Sequence, residues 1–110
     1  NGEFTQGENI GDLAGIVIAY KAYQLSKKGK ATAVIDGLTG DERFFFGWAT
    51  IWATISTDKQ LIRQIKTDPH SPGEFRANGP LVNMPEFIDV FGVQVGDGMY
   101  VDPEKRIKIW

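Results

Sequence analysis

One apolar stretch, residues 10–25, constrains the fold more than any other part of the chain. Most of its positions are apolar, and the polar exceptions include Asp12, Lys21 and Gln24. The apolar positions cover nearly every face of a helix, which indicates a helix buried on several sides. We therefore predict a buried helix that ends at about Ser26, and its charged residues make it too polar to span a bilayer.

Two carboxylates, Glu8 and Asp12, stand four residues apart at the front of this helix. That spacing places both side chains on one helical face, about one turn apart. The structural interpretation is a capping box with Thr5 at the N-cap and Glu8 three residues on, where the helix dipole stabilises acids. The functional interpretation is a metal site, in which Glu8 binds the ion and Asp12 orients a histidine of another segment. The spacing alone leaves both interpretations open.

Two further helices are predicted from their capping residues. One starts at Thr39, which forms a Thr-x-x-Glu capping box with Glu42, and its aromatic residues predict core packing. The next is short, follows the capping residue Thr57 and stops at Asp68, because a proline comes directly after it. Its apolar face consists of Leu61, Ile62 and Ile65.

The C-terminal third is predicted to contain little regular structure. Residues 68–83 are rich in proline, glycine and asparagine and predict a loop. A fourth, short helix is expected after the capping residue Asn83, with Pro85 in its first turn and Gly92 at its end. Polar and apolar residues alternate over residues 105–110, which predicts a short edge strand.

The composition limits what site this chain can build alone. It has one histidine, His70, and no cysteine, whereas a catalytic zinc normally has three protein ligands drawn from His, Cys and carboxylate. Most ligands of any zinc site would therefore lie on another segment. A net charge of −2 gives no reason to expect a nucleic-acid partner. The N-terminus lacks the pattern of a signal peptide, and its abrupt start suggests a fragment.

The only histidine lies in a constrained part of the predicted loop. Pro69 and Pro72 flank His70 closely and restrict the backbone around it, and Arg76 follows six residues later. A rigid loop that presents His and Arg together suits binding of a polarised carbonyl or a carboxylate. An ordinary surface histidine is the alternative, and the spacing supports the site only weakly.

Several motifs, in order along the whole chain, resemble the neprilysin family of zinc metallopeptidases, which includes endothelin-converting enzymes and bacterial oligopeptidases. The motif Gly-Glu-Asn-Ile-Gly-Asp at residues 7–12 resembles the family's second zinc motif. The motif Asp-Pro-His-Ser-Pro at residues 68–72, followed by Phe-Arg at 75–76, resembles its catalytic loop. The family's His-Glu-x-x-His helix, which supplies two zinc ligands and the general base, is absent from this chain. In the family that helix lies upstream.

The resemblance implies a role for each candidate residue. Glu8 is expected to be the third zinc ligand, and Asp12 to accept a hydrogen bond from a zinc-bound histidine. His70 is expected to donate a hydrogen bond to the oxyanion of the tetrahedral intermediate. Arg76 is expected either to hold a substrate backbone carbonyl or to stabilise the site by pairing with an acid. The implied cofactor is zinc and the implied substrate is an oligopeptide.

The predicted fold is mainly α, with about four helices and long ordered loops, as a fragment of a thermolysin-like zincin catalytic domain. Residues 1–110 are expected to be its C-terminal portion, packed against the upstream part of the same polypeptide. The isolated fragment is expected to be inactive, to bind zinc weakly and to dimerise through exposed apolar surface. A non-catalytic helical interaction module is the alternative. A bacterial protein is expected because residues 106–110 lack the cysteine that animal members of the family have in this region. Its location is left open between the periplasm or cell envelope and the cytoplasm.

Overall fold

The computed structural model describes residues 1–109, and helices dominate it, as predicted. Five α-helices and one 3₁₀ turn are connected by ordered segments: α1 (Gly2–Ser26), α2 (Gly40–Ile51), α3 (Asp58–Thr67), α4 (Gly73–Leu81), α5 (Pro85–Phe91) and the 3₁₀ turn Pro103–Lys105. Helix α4 contacts both α1 and α2, and α2 also contacts α5. Helix α4 therefore packs against two of the other helices.

Helix α1 starts earlier than the predicted capping box. Asn1 is its N-cap, and the Asn1 side chain accepts a hydrogen bond from the amide of Phe4 at 3.4 Å. Thr5 lies inside the helix, where its hydroxyl donates to the carbonyl of Asn1. The predicted capping box of Thr5 and Glu8 is thus wrong, because Asn1 is an equally good capping residue one turn earlier. Glu8 is free of any capping role.

The caps predicted for the next two helices are confirmed. Thr39 accepts a hydrogen bond from the amide of Glu42, and the Glu42 carboxylate accepts one from the amide of Thr39. Thr57 caps α3 by accepting from the amide of Gln60, and the helix ends at Asp68 as expected. Each of these hydrogen bonds joins residues three positions apart, so a short stretch of sequence is enough to predict it.

The loop predicted over residues 68–83 is wrong in its second half, because α4 forms there. Pro80 lies inside α4, in its last turn, and lacks the N–H that would donate to the carbonyl four residues earlier. Pro80 and Leu81 are buried, and the indole Nε1 of Trp48 donates to the carbonyl of Ala77 at 3.1 Å. Tertiary packing therefore outweighs the poor helix propensity of this segment.

Two predictions at the C-terminal end are also wrong. Met84, not Asn83, is the N-cap of α5, although Gly92 ends that helix in a left-handed conformation (φ 61°) as predicted. Asn83 instead accepts a hydrogen bond from the amide of Ile107 at 2.8 Å. No edge strand forms over residues 105–109, and Trp110 lies outside the described residues.

The core is aromatic and lies between α1, α2 and α5. Phe45 is 1% exposed and stacks on Tyr20 with ring centroids 5.2 Å apart. The ring of Phe87 meets Phe45 edge to face at 5.4 Å. The expected core role of the aromatic residues of α2 is therefore confirmed for Phe45, while Phe46 is half exposed. The buried members of this core are Leu13, Ile16, Tyr20, Phe45, Leu81, Met84 and Phe87.

Much apolar surface stays uncovered by this chain. The prediction that helix α1 is buried on several sides is wrong, because it buries only one stripe of side chains. Ile18 and Leu25 are 56% and 71% exposed. Helix α3 is amphipathic but has no buried residue, and Ile62 and Ile65 on its apolar face are about half exposed. Within residues 1–109, no helix has the length and hydropathy that a bilayer crossing requires.

This exposed surface predicts association of the isolated 110-residue chain. Exposed apolar patches of this extent promote self-association, so the chain should sediment as a dimer or larger species at high concentration. Ile18→Asp should shift the equilibrium toward monomer, whereas Lys21→Gln, which exchanges one polar side chain for another at an exposed position of the same helix, should leave it unchanged. Analytical ultracentrifugation checks this, and a wild-type chain that stays monomeric would refute it.

The start of α4 depends on a close approach at Gly73. A Cβ there would lie 2.8 Å from the carbonyl oxygen of Trp52, so Gly73→Ala should destabilise the protein by about 1–3 kcal/mol. At Gly79 in the same helix a Cβ would meet nothing within 4 Å apart from its chain neighbours, one of which is Pro80, so Gly79→Ala should destabilise the protein less than Gly73→Ala does. Denaturant unfolding of the protein that carries this chain measures both values, and equal effects would contradict the expectation.

Candidate functional site

Helix α1 meets the segment 68–76 through three polar side chains in its first half. Glu8, Asn9 and Asp12 each lie within hydrogen-bonding or ion-pair distance of a residue in that segment, with partners 62 or 64 positions away along the chain. The helical repeat places Glu8 and Asp12 on one face. The three contacts form a polar strip along the junction of α1 with the loop before α4 and with α4 itself.

The outermost contact involves His70, whose ring lies between two carboxylates. Its Nδ1 lies 2.6 Å from Oδ1 of Asp68, and its Nε2 lies 3.2 Å from Oε2 of Glu8. The amide of His70 also donates to Asp68 Oδ1 at 2.9 Å, and these hydrogen bonds from His70 lower the pKa of Asp68 below its usual value. Each ring nitrogen of His70 therefore has a carboxylate oxygen within hydrogen-bonding distance.

The middle contact is neutral. The hydroxyl of Ser71 donates to Oδ1 of Asn9 at 2.8 Å, and Ser71 is 8% exposed. From the other side, Nε2 of Gln64 on α3 donates to the backbone carbonyls of His70 and Ser71 at 3.2 and 3.4 Å. The backbone of the His70 loop is therefore held between α1 and α3.

The innermost contact is a two-pronged ion pair. Nε and Nη2 of Arg76 donate to Oδ2 and Oδ1 of Asp12 at 2.6 and 2.7 Å, and the side chains are 14% and 11% exposed. The Arg76 guanidinium also lies 4.1 Å from the ring centroid of Trp52, and Nη2 is 4.0 Å from Glu8 Oε2. The hydrogen bond to Asp12 raises the pKa of Arg76 above its usual value.

An open groove of about 690 Å³ lies beside this ion pair. The first turns of α1 and the outer side of α4 form its walls, and its lining includes Ile10, Phe75 and Pro80 together with Asp12 and Arg76. The polar strip therefore borders an apolar surface on one side.

The four predicted site residues come together in one place. Glu8, Asp12, His70 and Arg76 lie within this strip, and Arg76 pairs with an acid, which is one of the two expected arrangements for it. Their chemical roles stay predictions. Asp68 was not predicted as a site residue, although aspartate commonly forms an Asx turn, in which its side chain accepts a hydrogen bond from the backbone amide two residues later. The pair of Asn9 and Ser71 leaves no local signal, because its members are 62 residues apart.

The described residues can supply one ligand of a metal site but not the full set of ligands. Glu8 is about half exposed, and within residues 1–109 its carboxylate has no bond to its own helix. No group of three or more His, Cys, Asp or Glu side chains among these residues could hold a metal ion. A carboxylate available at the surface can serve as a zinc ligand only if other ligands come from outside this chain.

Comparison with known proteins connects this site to a family. The model of "Peptidase family M13" matches residues 1–107. Over its full length the chain is 41% identical to Neprilysin-1 of Caenorhabditis elegans, 38% to Neprilysin-3 of Drosophila melanogaster and 38% to human endothelin-converting enzyme 1. It spans only 14–15% of the length of these relatives.

Solved structures agree with the sequence relatives. The Mycobacterium tuberculosis zinc metalloprotease Zmp1 in its open state superimposes with a TM-score of 0.95 at 53% identity, over 99% of this chain and 17% of that protein. The inhibitor complex of the same protease gives a TM-score of 0.96 with the same identity and coverage. The sequence motifs, the helical fold and these matches agree: the chain belongs to peptidase family M13, the neprilysin-type zinc metallopeptidases.

Proposed function

We propose that this chain is the C-terminal portion of the catalytic domain of a zinc metalloendopeptidase that hydrolyses peptide bonds in oligopeptides. The upstream part of the same polypeptide would supply the His-Glu-x-x-His helix, with two zinc ligands and the general base. The observation that carries the proposal is the convergence of Glu8, Asp12, His70 and Arg76, from two segments about 60 residues apart, in one strip. Membership in the family supports it.

Glu8 is the residue of this chain that would hold the zinc. Its carboxylate is half exposed and contacts only side chains from segment 68–76, so it can turn toward a metal without breaking a cap. A bound zinc supplies Lewis acidity and a water whose pKa falls toward about 7. Asp12 lies one helical turn further on, at a distance from Glu8 suited to orienting a neighbouring histidine ligand.

His70 would stabilise the oxyanion that forms at the scissile carbonyl. Asp68 holds its Nδ1 at 2.6 Å, which leaves Nε2 as the donor that faces the Glu8 side of the site. A preorganised donor of this kind is worth about 2.7–4 kcal/mol of transition-state stabilisation. The ring needs no reorganisation, because the Asx turn fixes its backbone.

Arg76 would bind the backbone carbonyl of the substrate next to the scissile bond. Two of its nitrogens already donate to Asp12, and this pair together with Trp52 fixes the guanidinium plane. The remaining N–H groups stay available as donors. Asp12 can accept from a zinc-bound histidine at the same time, because each carboxylate oxygen has a second lone pair.

The proposal predicts different outcomes for two variants of the full-length protein. Glu8→Gln should remove zinc and peptidase activity together, because a neutral amide is a poor zinc ligand. His70→Gln should keep zinc and lower kcat by about 10²–10³-fold. Zinc content by elemental analysis and hydrolysis of a peptide substrate measure both, and Glu104→Gln, an exposed acid in the C-terminal 3₁₀ turn, is the control.

Either of two results would contradict the proposal. One is stoichiometric zinc in Glu8→Gln, which would remove Glu8 from the metal site. The other is loss of zinc in His70→Gln, which would indicate a structural role for the histidine. A reading frame without His-Glu-x-x-His upstream would favour the non-catalytic interaction module instead.

Arg76→Met should mainly raise KM, by about 10-fold or more, because a hydrogen bond from a charged group contributes about 1.5–3 kcal/mol. It should also lower thermal stability, since it leaves the carboxylate of Asp12 largely buried without its partner. Arg76→Lys keeps the charge but not the two-pronged geometry, so it should fall between wild type and Arg76→Met in both measurements. An unchanged KM in Arg76→Met would remove Arg76 from the substrate site.

A further inference from the structure

The residues that directly follow the two outermost site residues are hydrogen-bonded to each other. Asn9 follows Glu8 and Ser71 follows His70, and the Ser71 hydroxyl donates to Asn9 Oδ1 at 2.8 Å. Ser71 is the one polar residue among those classed as buried in the described part of the chain. A buried hydroxyl with a short hydrogen bond is costly to disturb, so this bond fixes the separation of the two backbones at this point.

The amide of Asn9 and the backbone of Ser71 are each held by a further partner. Nδ2 of Asn9 donates to Thr5 Oγ1 at 3.3 Å, which directs its Oδ1 toward Ser71. Gln64 holds the carbonyls of His70 and Ser71 from the side of α3. The hydrogen bond of Ser71 to Asn9 therefore attaches the loop to α1, and Gln64 holds the loop from the side of α3.

The other two contacts of the strip are less able to position His70. The pair of His70 and Glu8 is 42–46% exposed, and exposed pairs contribute little. Under the proposed function, on which this inference rests, Glu8 also gives its carboxylate to zinc. The pair of Arg76 and Asp12 is strong, but it lies on α4 beyond Pro72 and fixes that helix more than the loop before it.

We propose that Asn9 and Ser71 are positioning residues of the peptidase site, and that their hydrogen bond holds the imidazole of His70 at its working distance from the metal side of the site. Neither residue touches the reacting atoms. Both act through His70, and their hydrogen bond is uncharged, so it persists whether or not Glu8 binds a metal.

The test uses the zinc-loaded full-length protein. Ser71→Ala and Asn9→Leu should each lower kcat by about 10–100-fold, as is typical when the support of a functional side chain is lost, with KM and zinc content little changed. In a His70→Gln background, Ser71→Ala should lower kcat no further, because there is no longer an imidazole to position. Ser26→Ala, which removes a hydroxyl hydrogen bond at the far end of α1, should keep wild-type kcat.

A second measurement needs no activity. In the zinc-free protein, the two single variants Asn9→Leu and Ser71→Ala should each lower Tm, and the double variant should lower it by less than their sum, because both remove the same bond. Asn9 is exposed, so Asn9→Leu keeps the test valid even if Ser71→Ala folds poorly.

The outcomes separate this inference from the function on which it rests. A wild-type protein without zinc-dependent peptidase activity overturns both. An active wild type in which the two variants keep normal kcat, or in which Ser71→Ala costs as much with His70→Gln as without it, overturns the positioning role alone. Additive Tm shifts would show that the two side chains do not share one bond, and would overturn it as well.

Discussion

The two-pronged pair of Arg76 and Asp12 is the interaction on which the site geometry depends. It joins α1 to α4 with both charged groups largely removed from water. Breaking such a pair by removing one partner costs about 3–5 kcal/mol, because the other charge stays buried and uncompensated. The indole of Trp52 covers the guanidinium and ties the end of α2 to the same point. Three helices thus meet at one arginine.

The pair also explains why α4 matters beyond its length of nine residues. Helix α4 contacts α1 on one side and α2 on the other, and its first residue, Gly73, approaches the carbonyl of Trp52 as closely as only a glycine allows. The loop that carries His70 enters this helix directly. The packing of α4 therefore fixes the C-terminal end of that loop, which connects the fold to the chemistry proposed for the site.

The proposed function gives the uncovered apolar faces and the incomplete metal site one common explanation. Helix α3 and one side of α1 expose apolar side chains that a self-sufficient domain would bury, and Glu8 stands without further metal ligands among residues 1–109. The chain spans 14–15% of the length of its neprilysin relatives. These facts support the proposal that the remainder of the polypeptide both covers these faces and completes the site.

Features that depend on near neighbours can be predicted from the amino-acid sequence alone. The caps at Thr39 and Thr57 and the end at Gly92 follow from hydrogen bonds and backbone preferences within a few residues. The shared face of Glu8 and Asp12 follows from the helical repeat, and the single histidine made any zinc site a shared one. The family motifs then selected His70 and Arg76 as their companions.

The tertiary structure set the remaining features. It formed α4 in a segment whose composition predicts a loop, because burial of Pro80 and Leu81 against other helices outweighs local propensity. It also paired Arg76 with Asp12 and Ser71 with Asn9 across 64 and 62 residues. Contacts between such distant residues leave no periodic or local signal in a single sequence, since packing and not the intervening chain brings them together.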